Sequence, residues 1–182
     1  MDESEEERDW IRKSQLGDHA AFEALIRRYQ RMIHVLTFRM TGSVSDAEDL
    51  AQETFIKAFQ HIDGFRTSSK FSSWIGQIAI NLCLNWKRRK QLHESIRERL
   101  APVNPGSEFS EDLSLEVRDA LQRLDPKQRA AIVLTVYDEL SHGEAAKILG
   151  CSETTVSWRV FMARRNLKKW LQPFVRSTEG RP

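Results

Sequence analysis

The chain has 182 residues, room for one ordinary domain or two small ones at roughly 150 residues per domain. Hydrophobic residues make up 40% and charged residues 30%, so a packed core is feasible. No apolar run approaches the roughly 18 residues that cross a bilayer. Residues 1–7 are acidic and lack the basic and apolar parts of a secretory signal, so a cytoplasmic protein without membrane insertion is expected. Cys83 and Cys151 lie far apart, and no CxxC, HxxxH or HExxH spacing occurs. No metal and no cofactor is therefore implied, and both cysteines read as free thiols of a reducing compartment.

The net charge of +2 conceals alternating blocks. Residues 1–65 sum to −5, residues 66–100 to +6, residues 101–125 to −4 and residues 126–182 to +5. Two basic blocks parted by an acidic one fit either two contacts with a polyanion or two solvated helix faces.

Helical periodicity dominates the chain, which predicts an all-α fold. A short helix is expected over 5–16, stopped at Gly17. A long one follows over 20–40, with Asp18 before it and Gly42 just past its end. Ser45, Asp46, Ala47 and Glu48 read as a capping box. They open a helix whose apolar stripe is Ala47, Leu50, Ala51, Phe55, Ala58, Phe59 and Ile62. A loop over 65–70 leads to the next stripe, Phe71, Trp74, Ile75, Ile78, Ala79, Leu82, Cys83 and Trp86, which ends in Lys87, Arg88, Arg89 and Lys90. Residues 101–112 hold two prolines and a glycine without periodicity and read as a flexible linker. Two small helical domains are thus expected, over 1–100 and 113–182.

The second domain opens with a helix over 113–124. Asp125 then caps a helix with Pro126 at its first position, running to about Tyr137. Ser141 and Glu144 form a second capping box for a short helix closed by Gly150. Ser152 caps a last helix to about Leu171, with Pro173 as its stop. Ala145 and Ala146 let two helices cross closely, Ile148, Val156 and Val160 can fill the angle, and Gly150 permits a tight turn. This pattern reads as a helix-turn-helix. Its second helix carries Ser152, Glu153, Thr154, Thr155, Ser157, Trp158 and Arg159 at the end that would meet base edges. Arg164, Arg165 and Lys168 follow, where phosphates would lie.

Two further constellations stand out. Phe65, Arg66, Ser68, Ser69 and Lys70 precede a helix bearing Asn81, Asn85, Lys87, Arg88 and Arg89. Aromatic, amide and basic groups together suit single-stranded nucleic acid, although the aromatic rings also fit a core stripe. Asp46, Glu48, Asp49, Gln52, Glu53 and Lys57 form a polar helix face that either meets water or docks on a basic partner. No P-loop, dinucleotide-binding glycine motif or G-x-S-x-G motif is present, and no catalytic residue set is identified.

Taken in order over about 16–171, these segments resemble a bacterial extracytoplasmic-function (ECF) sigma factor of the sigma-70 family. Residues 17–25 with Tyr29, and above all residues 46–59, are similar to conserved region two. Phe71, Trp74, Ile75, Ile78, Ala79, Asn81, Arg88 and Arg89 match its promoter-melting helix, and residues 121–124, Pro126 and 137–165 resemble region four. The chain departs from the family at Ser157 and Trp158, where Lys and Ser are usual, and at Met162, where Arg is common.

The resemblance implies a promoter-specificity subunit, not an enzyme. The face from Asp46 to Lys57 would bind the clamp helices of the largest subunit of core RNA polymerase. The loop 65–70 with the α-helical residues Asn81, Asn85, Lys87, Arg88 and Arg89 would take the minus-ten element as melted strand. The helix-turn-helix would read the minus-thirty-five element of promoter DNA as duplex, and an anti-sigma factor is an expected partner. The alternative is a free-standing helix-turn-helix regulator binding palindromic duplex as a dimer, for which the chain offers no heptad seam.

Overall fold

The computed structural model describes residues 3–66, 69–96, 115–137 and 140–178. Among them are eight α helices and no strand. They are α1 (Glu3–Gln15), α2 (His19–Thr41), α3 (Val44–His61), α4 (Phe71–Ile96), α5 (Leu115–Arg123), α6 (Pro126–Ile132), α7 (His142–Leu149) and α8 (Glu153–Thr178). A 3-10 turn, Ile62–Gly64, ends α3, and a π turn, Val133–Tyr137, ends α6. The expected linker 101–112 lies outside the described residues.

Local chemistry sets most helix ends. The Asp18 carboxylate accepts from the backbone N–H of Ala20 and Ala21 and starts α2. Gly42, at φ 72°, closes it in the left-handed conformation that a side chain resists. The expected capping box at Ser45 is not the start of α3. Because Gly42 turns the chain at once, Ser43 is already extended, and its hydroxyl accepts from Asp46 N–H at 3.4 Å. Asp125 caps α6 ahead of Pro126 as expected. Ser141 and Glu144 make both bonds of the capping box on α7, and Gly150 ends that helix at φ 57°. Helix α8 runs through Pro173 instead of stopping there. The ring removes one N–H from the ladder at an exposed position, where water can take the freed carbonyl.

Helices α2, α3 and α4 pack face to face, with α1 laid along α2. Thr37, fully buried in α2, sets its hydroxyl between the carbonyls of Ile33 and Ala47 and ties α2 to the start of α3. In the second group, α5, α6 and α7 surround α8. The crossing of α7 and α8 is close because Ala145, Ala146 and Ala163 meet Val156 and Val160 in the core.

The two groups share one continuous apolar core, with α4 against α6 and α7, and α2 against α5 and α6. Arg129 of α6 sits between them, 1% exposed. Its guanidinium donates to the carbonyls of Leu121, Gln122 and Leu124 at the end of α5, and to the Met40 carbonyl at the end of α2. It also donates to the Gln122 side-chain oxygen, while Gln122 Nε2 reaches the Arg39 carbonyl. Gly42 also lies close to this contact. Besides its φ, a Cβ would stand 2.7 Å from the Gln122 carboxamide, which would have to shift. Arg39 closes the contact by lying 4.1 Å over the Tyr137 ring. Burial pulls the Arg129 pKa down to about 10, against the nearby Asp125 carboxylate, so it stays charged at neutral pH. Burial pushes the nearby Cys83 thiol up to about 12, which keeps it neutral.

Removing the Arg129 donors strands several buried carbonyls. Arg129→Met keeps the bulk and should lower unfolding free energy by about 3–5 kcal/mol in urea titration. A loss under about 1 kcal/mol would show that the carbonyls find other donors.

Candidate functional site

Three exposed surfaces carry the residues singled out in the sequence. The first is the outward face of α3, opposite its stripe. Glu48, Asp49 and Gln52 are exposed, and Glu53 and Lys57 are half-buried and paired at 3.9 Å. Asp46 is different. Its carboxylate accepts from Trp86 Nε1 at 3.2 Å and pairs with Lys90 at 3.7 Å, so it ties α3 to α4 instead of standing free on the face. Lys90 also lies 4.8 Å from the Trp86 ring centre. Sequence reading missed Ile56, which is 57% exposed one turn beyond Gln52. The signal was there: Ile56 falls off the apolar stripe, where a solvated helix would place a polar residue. An exposed aliphatic ringed by Gln52, Glu53 and Lys57 has the make-up of a protein-docking patch.

The second surface runs from the turn after α3 along α4. Phe65 is a correction: it is 5% exposed, edge-on to Phe71 at 5.4 Å and tilted on Trp74 at 5.3 Å. Its ring belongs to the core, because the two aromatics in the first turn of α4 give it an apolar surface to pack against. Arg66, Ser69 and Lys70 are exposed. Ser69 N–H and hydroxyl both donate to the Arg66 carbonyl, which holds the two ends of the loop together. Ser68 lies outside the described residues. On α4, Asn81, Asn85, Arg88 and Arg89 are exposed and follow at helical steps, so they form one polar stripe, with Lys87 half-buried beside it. Gln77 begins the same stripe one turn earlier.

The third surface is the start of α8. Ser152 accepts from Thr155 N–H at 3.2 Å and shares a 2.8 Å hydroxyl contact with Thr155 Oγ1, so both serve the cap. Ser157 donates to the Glu153 carbonyl and meets His142 Nδ1 at 2.8 Å, which ties α8 to α7. Glu153, Thr154 and Trp158 are exposed, Trp158 at 57%. Half-buried Arg159 is steadied over the turn by an N–H···S contact of 3.4 Å to Cys151. Further along, Arg164, Arg165 and Lys168 are exposed. Phe161, 63% exposed and also missed in the sequence, joins Thr154, Trp158, Arg165 and Lys168 on one face. This face is aromatic near the helix start and basic beyond it.

The second and third surfaces meet edge to edge. Lys70 pairs with Glu144 of α7 at 3.6 Å, and Gln77 Nε2 lies 3.5 Å from the Lys147 carbonyl. Ser141 N–H and hydroxyl hold the Glu144 carboxyl below its usual range, with Lys70 adding to the shift. Between α4 and α7 lies a cleft of about 260 Å³, lined by Ser69, Ser73, Trp74 and Ile148 among others. Among the described residues no cluster of His, Cys, Asp and Glu suits a metal, and no helix is long and apolar enough to cross a membrane.

Comparison with known proteins agrees with this layout. Residues 25–93 match the family model for sigma-70 region 2, and residues 114–167 match that for sigma-70 region 4. The ECF RNA polymerase sigma factor SigW of Bacillus subtilis is 35% identical over 177 residues, covering 89% of this chain and 95% of its own. The RNA polymerase sigma-H factor of Pseudomonas aeruginosa is 30% identical over 187 aligned positions, covering 94% and 97%. Among solved structures, the sigma factor RpoE in complex with the anti-sigma factor NepR from Bartonella quintana matches with a TM-score of 0.72 at 27% identity, covering 83% of this chain and 96% of that one. With both regions present in order and such relatives aligned along nearly its whole length, the chain belongs to the ECF sigma factors of the sigma-70 family, which bind core RNA polymerase and direct promoter-specific initiation of transcription.

Proposed function

We propose that the three surfaces divide the work of initiation between a first domain over 1–100 and a second over 113–182, joined by the linker 101–112. The α3 face, with Glu48, Asp49, Gln52 and Glu53 around Ile56, docks on the clamp helices of the polymerase largest subunit. Arg66, Ser69 and Lys70 with Asn81, Asn85, Arg88 and Arg89 receive the melted minus-ten strand. Helix α8 enters the major groove at the minus-thirty-five element, with Thr154, Trp158 and Arg159 toward the bases and Arg164, Arg165 and Lys168 toward phosphates. The reading rests above all on the α4 stripe, where amides and guanidinium groups stand exposed in one line on a helix whose other face is core. No enzymatic step is needed, since trapping flipped bases makes strand opening favourable.

The two promoter elements lie roughly 25 base pairs apart, about 85 Å of duplex at 3.4 Å per pair. Helix α7 here rests against α4. The domains therefore separate before one chain reads both elements, and Lys70 exchanges Glu144 for a phosphate. We further propose that the protein acts in the cytoplasm and is held inactive by an anti-sigma factor, as RpoE is seen bound to NepR.

Run-off transcription with bacterial core polymerase on promoter fragments from the host tests the reading. Defined starts should arise only when the protein is added, and their alignment should yield both elements. Tight duplex binding with no transcripts and no co-elution with core would instead identify a free-standing regulator. Ile56→Glu should weaken core binding at least tenfold, as loss of a central apolar anchor does, while leaving helix content unchanged. Arg159→Ala should cost roughly 1–3 kcal/mol at a single base pair of the minus-thirty-five element. An equal loss on every sequence would make Arg159 a phosphate contact.

A further inference from the structure

We propose that Gln15, the last residue of α1, is a positioning residue that sets the aim of Arg66 and Ser69, which are assigned above to the minus-ten strand. The proposal rests on that assignment. Gln15 Nε2 donates to the Ile62 carbonyl and to the Phe65 carbonyl, each at 3.0 Å. One carboxamide nitrogen has two N–H groups, and both are spent on this one turn.

The two acceptors are chosen by position. Ile62 ends α3, where helix geometry leaves carbonyls without partners, and its carbonyl also takes the Phe65 N–H at 2.9 Å. Phe65 is the last buried residue before Arg66, and its ring is wedged on Phe71 and Trp74. Pinning its carbonyl from one side and its ring from the other fixes the direction in which the chain leaves. Arg66 takes that direction, and Ser69 follows because its N–H and hydroxyl bond the Arg66 carbonyl.

A positioning residue must itself be held, and α1 is. The Glu7 carboxylate accepts from the Tyr29 hydroxyl at 2.6 Å and pairs with Arg28 at 3.3 Å. Burial, and then that bond, push the Tyr29 phenol well above its ordinary pKa, so it remains a donor at every working pH. The Tyr29 ring in turn lies 5.3 Å from Phe71. Ile11 and Ser14 of α1 are buried. Helix α1 therefore runs from an anchor on α2 to the base of the loop, and the residues it bonds at the two places, Tyr29 and Phe65, both set their rings against Phe71. Its role is not a contact with DNA but the alignment of residues that make one.

The test uses the full chain reconstituted with core polymerase, on a promoter found by run-off transcription and on single-base variants of its minus-ten element. Gln15→Leu keeps the bulk and removes both donors. Gln15→Glu keeps the shape and turns donors into acceptors. Each should bind core as the parent does and retain its helix content, yet discriminate about fivefold less between the promoter and its minus-ten variants, the effect of one ordinary hydrogen bond. The loop variant Arg66→Ala with Ser69→Ala should lose discrimination as well. If the loop variant loses it and both Gln15 variants do not, or if they weaken all promoters equally, Gln15 is only a helix cap and the proposal falls. If the loop variant also keeps full discrimination, the role assigned to the loop falls first and takes this one with it.

Discussion

Two helices of this protein end on a single buried cation. Helix ends leave carbonyls unpaired and carry partial negative charge. Arg129 collects such carbonyls from α5 and from α2 at once, with its five N–H groups in a fixed fork. Lysine offers three donors from one point and does not span them. The cost of burying the guanidinium is offset only while the two helix ends stay where they are, so the position of α5 against α2 follows from this side chain. The neighbouring contacts agree with it. Gly42 makes room for Gln122, and Arg39 lies over Tyr137. Helix α6 starts only three residues before Arg129, at a cap written by Asp125 and Pro126, which fixes the helical phase that turns Arg129 inward.

That arrangement was only partly legible in the sequence. Caps are local, so Asp18, Gly42, Asp125, Ser141 with Glu144, and Gly150 could be read from a few residues each. The apolar stripes of α3 and α4 were legible for the same reason, since helical period is a local property. The bonds of Gln122 to the Arg39 carbonyl and of Arg129 to the Met40 carbonyl are not local. They span 83 and 89 positions, and no pattern within one helix encodes them. Phe65 looked like a stacking platform because it stands in a loop rich in hydroxyl and basic groups. Its ring is drawn inward by Phe71 and Trp74, which occupy the start of the next helix. Asp46 looked like part of an acidic face. Trp86 and Lys90, which approach it across the helix pair, are visible only once α3 and α4 are packed.

Three of the six large apolar side chains exposed among the described residues lie on the surfaces to which a partner is assigned in the proposed reading. Ile56 on α3, and Trp158 with Phe161 on α8, sit in otherwise polar surroundings. Scattered singly they would mean little. Here each lies at the middle of a charged rim, and the rims differ in sign. The α3 face is mostly carboxylate, which favours a basic protein partner, and the α8 face is basic, which favours DNA. In the proposed reading, the division of charge seen along the chain becomes a division of partners in three dimensions.

The contacts between the two domains are unequal, and the inequality bears on how they part. Near the loop, closure depends on Lys70 with Glu144, an exposed pair of a kind worth about 0–1 kcal/mol, and on a long Gln77 contact at the limit of hydrogen bonding. Near the end of α2, closure depends on the buried Arg129 and on the close fit of Gly42 to Gln122. In the proposed reading, separation starts at the loop edge, where a phosphate competes for Lys70 at little cost, and the buried contact yields last. Inverting a closed-to-open ratio from 99:1 to 1:99 takes about 5.5 kcal/mol of differential binding. A nanomolar complex supplies about 12 kcal/mol in total. In the proposed reading, docking of the α3 face opens the chain only by the part of its binding energy that differs between the open and closed arrangements, and duplex contacts from α8 count by the same measure.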